Sequence, residues 1–393
     1  MVELKVLMLS HYFERHRGGI EIVANALARQ LMLSGFAVRW LATGNAGGTE
    51  DWRRSVAASN ICETLLKFPY PLLYPSAWHA VWTEAKAADV VVMHDAMYMT
   101  SIVGWLAARA HRKPVIVVQH IGAVPYRNLI LRFLMTLGNR LITFPILRRV
   151  DRIVFISQTT AKFFHAIRLQ CVPTVIFNGV DTQVFRPASG GKEFAEARAG
   201  LGLPPDATVA LFVGRFVEKK GLAVLEQMAR DHPSIFFVFA GWGAIDPAGW
   251  QLPNVRVYRS LSGASLAPLY RASDVVLLPS VGEGFPLVIQ EAMACGLPVV
   301  CGTDTAQADP AATCFLSGVS VDLNKPDLTA RLFAQEVLRL LRAPSSGNDQ
   351  QARWKFAREH YSWNTTATAY ARLLRGCLEQ AAGEIATCQI VGP

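Results

Sequence analysis

Short apolar runs alternate with longer amphipathic stretches from one end of the chain to the other, the pattern of a parallel sheet covered by helices. The runs predict strands over residues 5–10, 37–43, 90–94, 114–120, 152–157 and 174–177, and again over 209–214, 235–240, 255–259, 275–279 and 298–301. Most of them lack a polar–apolar alternation, as expected where both faces of a strand are buried. No segment recurs at a fixed spacing, so a solenoid is excluded.

Two such series fit a chain of 393 residues, which exceeds what one hydrophobic core usually organises. The break falls near 183–207. Phe185-Arg186-Pro187-Ala188-Ser189-Gly190-Gly191 is rich in turn formers, and Pro204-Pro205-Asp206 follows before the next strand. We place the linker at 184–190, which gives domains over 1–183 and 184–361. Residues 362–393 carry a last helix, expected near 364–380, that comes after the second series is complete and would return to pack on the first domain.

Composition is that of a globular protein, 51% hydrophobic and 18% charged, with no tract suited to a disordered linker. The first strand is followed at once by His11, Glu14 and Arg15, which reads as a buried strand and not as a secretory leader. No uncharged apolar run approaches the ~18 residues of a membrane span. Mean hydropathy is nevertheless +0.25, high for a soluble chain. Seven cysteines, an odd number without a C-x-x-C pair, argue against a disulfide framework and a structural zinc site and for reduced thiols in the cytoplasm. The net charge of +9 is one-sided: 20 Lys and Arg face 11 Asp and Glu up to residue 185, and the remainder has 19 of each. Either the first half meets something anionic, or it merely has a basic surface.

In open α/β sheets ligands sit beyond the carboxyl ends of the strands. After the first strand, Arg17-Gly18-Gly19-Ile20-Glu21 opens a helix. Paired glycines there would let backbone amides approach a phosphate, but a tight turn without a ligand has the same sequence. The full dinucleotide fingerprint is absent, which disfavours a nicotinamide-dependent oxidoreductase. In the second series Arg215 ends a strand and Lys220 follows in the loop. Together they would neutralise a diphosphate, or they form a solvated basic loop. The richest segment is 279–298. Glu283 lies between glycines, Pro286 suits a first helical turn, and Glu291 stands inside that helix among Ala, Met, Ile and Cys. A carboxylate in such company requires a partner, either sugar and ribose hydroxyls or a nearby Arg.

This segment resembles the E-x7-E signature of the retaining glycosyltransferases of family 4. The resemblance extends along almost the whole chain through Gly18-Gly19-Ile20-Glu21, Gln119-His120, Asn178-Gly179-Val180-Asp181 with Phe185, Gly214-Arg215 with Lys220, and Tyr361-Ser362-Trp363. It implies the GT-B fold, two Rossmann-like α/β domains of parallel sheet facing across a deep cleft. It also implies roles. Arg215 and Lys220 would hold the donor diphosphate and stabilise the leaving group. Glu291 would bind the ribose, Glu283 the sugar hydroxyls, and the amides of Gly284 and Phe285 the sugar. His120 would approach that sugar from the first domain, and Gly18-Gly19 would bring backbone close to the phosphate. The expected reaction is front-face substitution with retention, the acceptor losing its proton to a phosphate oxygen. No D-x-D occurs in the chain, which fits a donor site without a metal or other cofactor.

Acceptors of such enzymes usually meet the first domain, here the basic one. The expected partners are therefore a nucleotide-diphosphate sugar and a glycan or lipid-linked acceptor. In region 126–149, Leu129, Ile130, Phe133, Leu134, Leu137 and Leu141 share one helical face; Asn128, Arg132, Asn139 and Arg140 share another. Such a helix either lies in an anionic membrane surface or covers a sheet. With the charge asymmetry it points to peripheral attachment at the inner face of the cell membrane. No nucleic-acid module is recognisable. Competing readings are a sugar-nucleotide epimerase or phosphorylase on the same fold, or a binding protein that lost activity. His94-Asp95, after a strand, would touch the acceptor or be a satisfied loop pair.

Overall fold

A computed structural model of the chain describes residues 3–16, 18–47, 50–66, 70–122, 129–342 and 347–390. The described residues form two compact units. One holds those up to Gly179 and those from Trp363 on; the other is Val180–Ser362.

In the first unit the strands are β1 (Leu4–Tyr12), β2 (Phe36–Thr43), β3 (Arg53–Val56), the short β4 (Ala58–Ser59) and β5 (Leu72–Leu73), then β6 (Val90–His94), β7 (Val115–Gln119), β8 (Arg152–Phe155) and β9 (Thr174–Val175). Seven of them form one parallel sheet in the order β3-β2-β1-β6-β7-β8-β9, while β4 and β5 pair antiparallel beside it. Val6 of β1 stands between Val38 of β2 and Val90 of β6. Period two assigns the two faces. Leu7, Leu9, Val91, Met93, Val115 and Val117 enter one core; Val6, Met8, Val90, Val92, Ile116 and Val118 enter the other. Both faces are apolar, so the strands read as continuous runs. The helix Trp363–Ile390 adds Tyr370, Ala371, Leu374 and Cys377 to the second of these cores.

The second unit has β10 (Thr208–Phe216), β11 (Ile235–Gly243), β12 (Val255–Tyr258), β13 (Val275–Leu278), β14 (Val299–Gly302) and β15 (Leu316–Val319), ordered β12-β11-β10-β13-β14-β15. Both sheets therefore reverse their strand order beside their first strand, at β1/β6 and at β10/β13, where doubly wound sheets open a crevice for ligands.

Four strands were not expected. β3 and β15 are edge strands with polar or small residues. Arg53 of β3 is held by side chains instead, with Nη1 donating to Glu14 at 2.6 Å and the guanidinium 4.4 Å from the Trp52 ring. β4 and β5 are two residues each, too short to carry a periodic signal.

The region 126–149 corrects one reading. Residues 126–128 lie outside the described residues; from 129 the chain is helical as Leu129–Gly138, a π-turn at Asn139–Thr143, and Phe144–Leu147. Its apolar face does not cover the sheet. Leu129, Ile130, Phe133 and Leu141 are 63–70% exposed, and in Leu129–Gly138 only Met135 is buried. Asn139, expected on the wet face, is buried instead and its Nδ2 donates to the Gly122 carbonyl at 3.0 Å. The helix is thus apolar outward along its first half, and its later part turns Thr143, Ile146 and Leu147 inside. Among the described residues it is the one stretch whose length and composition would suffice to cross a membrane.

Candidate active site

In the second unit, β10 delivers Arg215 to the carboxyl edge of the sheet, and a short 3-10 turn, Glu218–Lys220, carries two lysines. Gly221 ends that turn with φ +76, a conformation only glycine adopts freely, and a Cβ there would lie 2.3 Å from the Pro279 carbonyl oxygen. The Val281 amide donates to the Lys219 carbonyl at 3.0 Å. The lysine turn is thereby laced to the end of β13, where Glu283 begins the next loop.

Lys220 Nζ lies 3.0 Å and Lys219 Nζ 3.5 Å from Glu283 Oε1. Burial pushes the Glu283 carboxyl up, but the two ammonium charges outweigh it and hold its pKa below the usual carboxylate value. Burial lowers Lys220, against the attraction of Glu283; Lys219 and Arg215 lower it further. Two ammonium groups thus face one carboxylate, and the charge of Arg215 is felt at Lys220. Arg215 is exposed and makes no ion pair among the described residues. The loop between them is anchored by Phe285, which is buried edge-on against Tyr361 at 5.5 Å, while Gly284 stays half-exposed. Tyr361 is fixed in turn, its hydroxyl donating to Asp309 Oδ2 at 2.5 Å.

Glu291 sits in the helix Leu287–Ala294, which starts one residue after the expected first-turn Pro286. Among the described residues its internal partner is not a nearby Arg. The Tyr270 hydroxyl, fully buried in the helix Ala267–Arg271, donates to Glu291 Oε2 at 2.5 Å. Burial raises the Glu291 pKa to about 7, with the Tyr270 bond pulling the other way. One carboxylate oxygen is committed and the residue remains partly accessible, so it presents an oriented acceptor.

The crevice of the first unit is built from other groups. Gly18 caps the helix Gly19–Leu33, and a Cβ on it would lie 2.0 Å from Glu21 Oε2. The glycine therefore makes room for the unit's own carboxylate at the helix start. Glu21 Oε1 is 3.1 Å from His11 Nε2 and 3.4 Å from His16 Nδ1, and His16 Nε2 reaches Glu63 at 3.0 Å. Burial raises Glu21, but the His11 charge and the bonds from both histidines take its pKa well below normal. Burial lowers His16, and its two carboxylate partners raise it by more. Gly19 is exposed, with open space where a side chain would stand.

His120 directly follows β7 and is buried, its Nε2 3.0 Å from Nδ1 of His94 at the end of β6. Burial lowers His94 to about 3 and takes His120 far below its ordinary value, so the pair is neutral. Asp95, at φ +60, accepts the His120 amide at 2.8 Å, and burial raises its pKa to about 7. His94 and Asp95 are thus tied to His120, while His94 Nε2 and Asp95 Oδ2 are buried without a hydrogen-bond partner among the described residues. The residues added to those read from sequence are Lys219, Tyr270, His11 and His16. Only Lys219 neighbours a residue already singled out; Tyr270 meets Glu291 from another helix.

Among the described residues no group of three His, Cys, Asp or Glu side chains has the arrangement of a metal site. A pocket of about 220 Å³ lies beside the first crevice, lined by Tyr12, Arg15, His16, Asn45 and Asn60.

Two family models match the chain, Glycosyltransferase Family 4 over residues 17–184 and Glycosyl transferases group 1 over residues 207–343. The chain is 30% identical to the D-inositol 3-phosphate glycosyltransferase of Segniliparus rotundus over 366 residues, spanning 84% of this chain and 75% of that one. It is 29% identical to the protein of the same name from Kineococcus radiotolerans over 381 residues, 89% of this chain and 83% of that one. Its fold matches the sucrose-phosphate synthase of Thermosynechococcus elongatus with a TM-score of 0.74 at 19% identity, over 96% of this chain and 100% of that one. It also matches Anabaena HepE, solved with UDP and glucose, with a TM-score of 0.71 at 16% identity, over 95% of this chain and 100% of that one. The two parallel-sheet α/β units are those of the GT-B fold.

Proposed function

The chain belongs to glycosyltransferase family 4, and from that premise we propose that it moves a hexose from a UDP- or GDP-linked donor to an acceptor hydroxyl with retention of configuration. The observation that carries this reading is the basic group at the β10/β13 switch point, Lys219 and Lys220 on the Glu283 carboxylate with the charge of Arg215 felt at Lys220. A nucleoside diphosphate arriving there meets more positive charge than Glu283 neutralises, so the protein supplies what a divalent metal would otherwise supply. Arg215, unpaired and exposed, offers a bidentate fork. Lys220 has a compact charge, held in place by Glu283, which is left to meet the sugar hydroxyls with its second oxygen. The amides of Gly284 and Phe285 would hold that sugar.

Glu291 would accept from the ribose hydroxyls. From the first unit, neutral His120 would approach the sugar without competing for the phosphate, and Gly19 leaves its backbone open. The acceptor hydroxyl would attack on the face the diphosphate leaves, giving its proton to a phosphate oxygen; no carboxylate need become covalently attached.

On the acceptor side we infer a glycan or lipid-linked molecule in cell-surface polysaccharide or glycolipid assembly, with the outward-apolar helix 129–147 lying in the inner face of the membrane. Arg132 and Arg140 on that helix, with Arg148 and Arg149 just beyond it, would meet anionic headgroups. A second reading, a phosphorylated polyol acceptor, is favoured by the pocket of Arg15, His16, Asn45 and Asn60 and by the relatives named for inositol phosphate.

The test is a screen of UDP- and GDP-sugars against lipid-linked and soluble acceptors in the presence of a chelator, with the anomeric configuration of the product read by NMR. Transfer with retention is expected. Conversion of the sugar nucleotide without any acceptor would instead indicate an epimerase, and a strict requirement for added metal would contradict the site described.

A further inference from the structure

The ladder between β6 and β7 runs out where His94 pairs with Val118. Just beyond it, side-chain hydrogen bonds take over and converge on His120. Asp95 Oδ1 accepts the His120 amide at 2.8 Å. Gln119, the residue before, ties both loops: its Oε1 accepts the Ala96 amide at 3.2 Å and its Nε2 donates to the Ile121 carbonyl at 2.8 Å. Asp95 takes φ +60 to make its bond, a conformation that persists only where the surroundings fix it. His94, Asp95, Gln119 and His120 are all buried.

The backbone of His120 is therefore fixed, and its ring is fixed separately. Nδ1 of His94 lies 3.0 Å from Nε2 of His120, with the two ring planes 28° apart. Both rings are uncharged, so a single proton lies between them and one ring donates to the other. With Nε2 of His120 taken in this way, Nδ1 is the ring nitrogen left to meet a ligand. His94 has no comparable second bond, since its own Nε2 is buried without a partner among the described residues. An unpartnered buried nitrogen costs free energy that an apolar side chain of similar size would avoid. What the imidazole of His94 contributes in return is its bond to His120.

We propose that His94 is a positioning residue for His120: its bond at Nε2 locks the ring in one orientation and one tautomer, so that Nδ1 is the atom His120 presents to a sugar. The inference rests on the reading that His120 meets the donor sugar and adds how its ring is aimed. A histidine on a loop, fixed only through its backbone, would still turn about its side-chain torsions and exchange its proton between two nitrogens. A ring held at its own amide by Asp95 and at Nε2 by His94 has neither freedom, which is the precision that a group acting by position requires.

The experiment has two readouts on the full chain. Long-range 15N–1H correlation spectra of the histidine rings should show His120 in one tautomer, its two nitrogens distinct and uncharged from about pH 5 to about pH 8. In His94→Leu the two signals should average; in wild type, averaging or titration within that range would overturn the inference. The second readout is a double-mutant cycle, followed by hydrolysis of UDP-glucose, UDP-N-acetylglucosamine and GDP-mannose, with a cooperative thermal transition certifying that each variant is folded. His94→Leu should lower kcat about tenfold with KM little changed, the effect of one lost hydrogen bond. His94→Asn, whose amide can reach Nε2 of His120 from nearly the place of Nδ1, should recover all but about threefold. Once His120 is replaced by Ala, His94→Leu should cost nothing further. Equal losses in His94→Leu and His94→Asn, or full additivity with His120→Ala, would make His94 a packing residue and overturn the inference while the reading of His120 stands. Wild-type kcat in His120→Ala would overturn that reading and the inference with it. If wild type hydrolyses none of the three sugar nucleotides, the spectra alone decide whether His94 fixes the ring.

Discussion

The two switch-point crevices share a strand order and differ in almost everything else. At β10/β13 two lysines meet one carboxylate, and Arg215 is left without an ion pair among the described residues. At β1/β6 the charged groups are matched among themselves, Glu21 taking His11 and His16 and His16 also taking Glu63, while the neutral His94 and His120 bond to each other. The first crevice thus already holds an anion at its helix start, where a phosphate was expected, while the second has cationic capacity to spare. On the proposed reading each unit offers a place for a ligand, and the local charge balance would decide which one receives a diphosphate.

The comparison breaks most easily in the second unit. Lys220→Ala should lower kcat by about 10²–10³, the usual effect of removing a group that stabilises developing charge, and Arg215→Ala by a comparable factor. Steady-state rates close to wild type in both would leave the diphosphate assignment without support. Loss of Lys220 also leaves Glu283 with only the more distant Lys219, so thermal denaturation should be followed alongside turnover.

A smaller effect is expected from Tyr270→Phe. It frees Glu291 Oε2 in a buried place, and the misoriented carboxylate should raise KM for the sugar nucleotide about tenfold with kcat little changed. An unaltered KM would mean that Glu291 does not meet the ribose. In the first unit Gly18→Ala should act on stability instead, costing ~1–3 kcal/mol in urea unfolding by displacing buried Glu21, with nucleoside diphosphate affinity within about threefold of wild type. A large loss of that affinity would return the phosphate to the first crevice.

The finest distinction is in pH. Burial lifts Glu291 to about 7 from an ordinary 4.5, so over that interval the folded state keeps a proton that the unfolded chain releases. Stability is therefore lost as pH rises toward 7 and stays low above it. Glu291→Gln removes this loss, and its Tm should fall less than that of wild type between about pH 5 and about pH 8. Asp95, shifted the same way, is present in both proteins, so the difference reports Glu291 alone.

What sequence could show followed from burial. Strands covered on both faces, such as β1 and β6, are unbroken apolar runs and were legible. Edge strand β3 was not, because Arg53 is stabilised by Glu14 and Trp52 and not by the pattern of its own segment. The motif residues of the second crevice were legible because they fall within single loops and helices. Tyr270, bonded to Glu291 from a helix 21 positions away, had no local signal. The helix 129–147 teaches the converse. Its amphipathic pattern was plain, but periodicity cannot say which face turns inward, and here Met135 and Asn139 do while Leu129 and Phe133 do not.

The central claim, that a nucleoside diphosphate is gripped by the basic cluster of the second unit without a metal, is tested most directly by calorimetric titration of UDP and GDP into the full chain with a chelator present. One of the two should bind to wild type, and Arg215→Ala with Lys220→Ala should abolish that binding. Binding by neither nucleotide, or binding that survives the double substitution, would contradict the account.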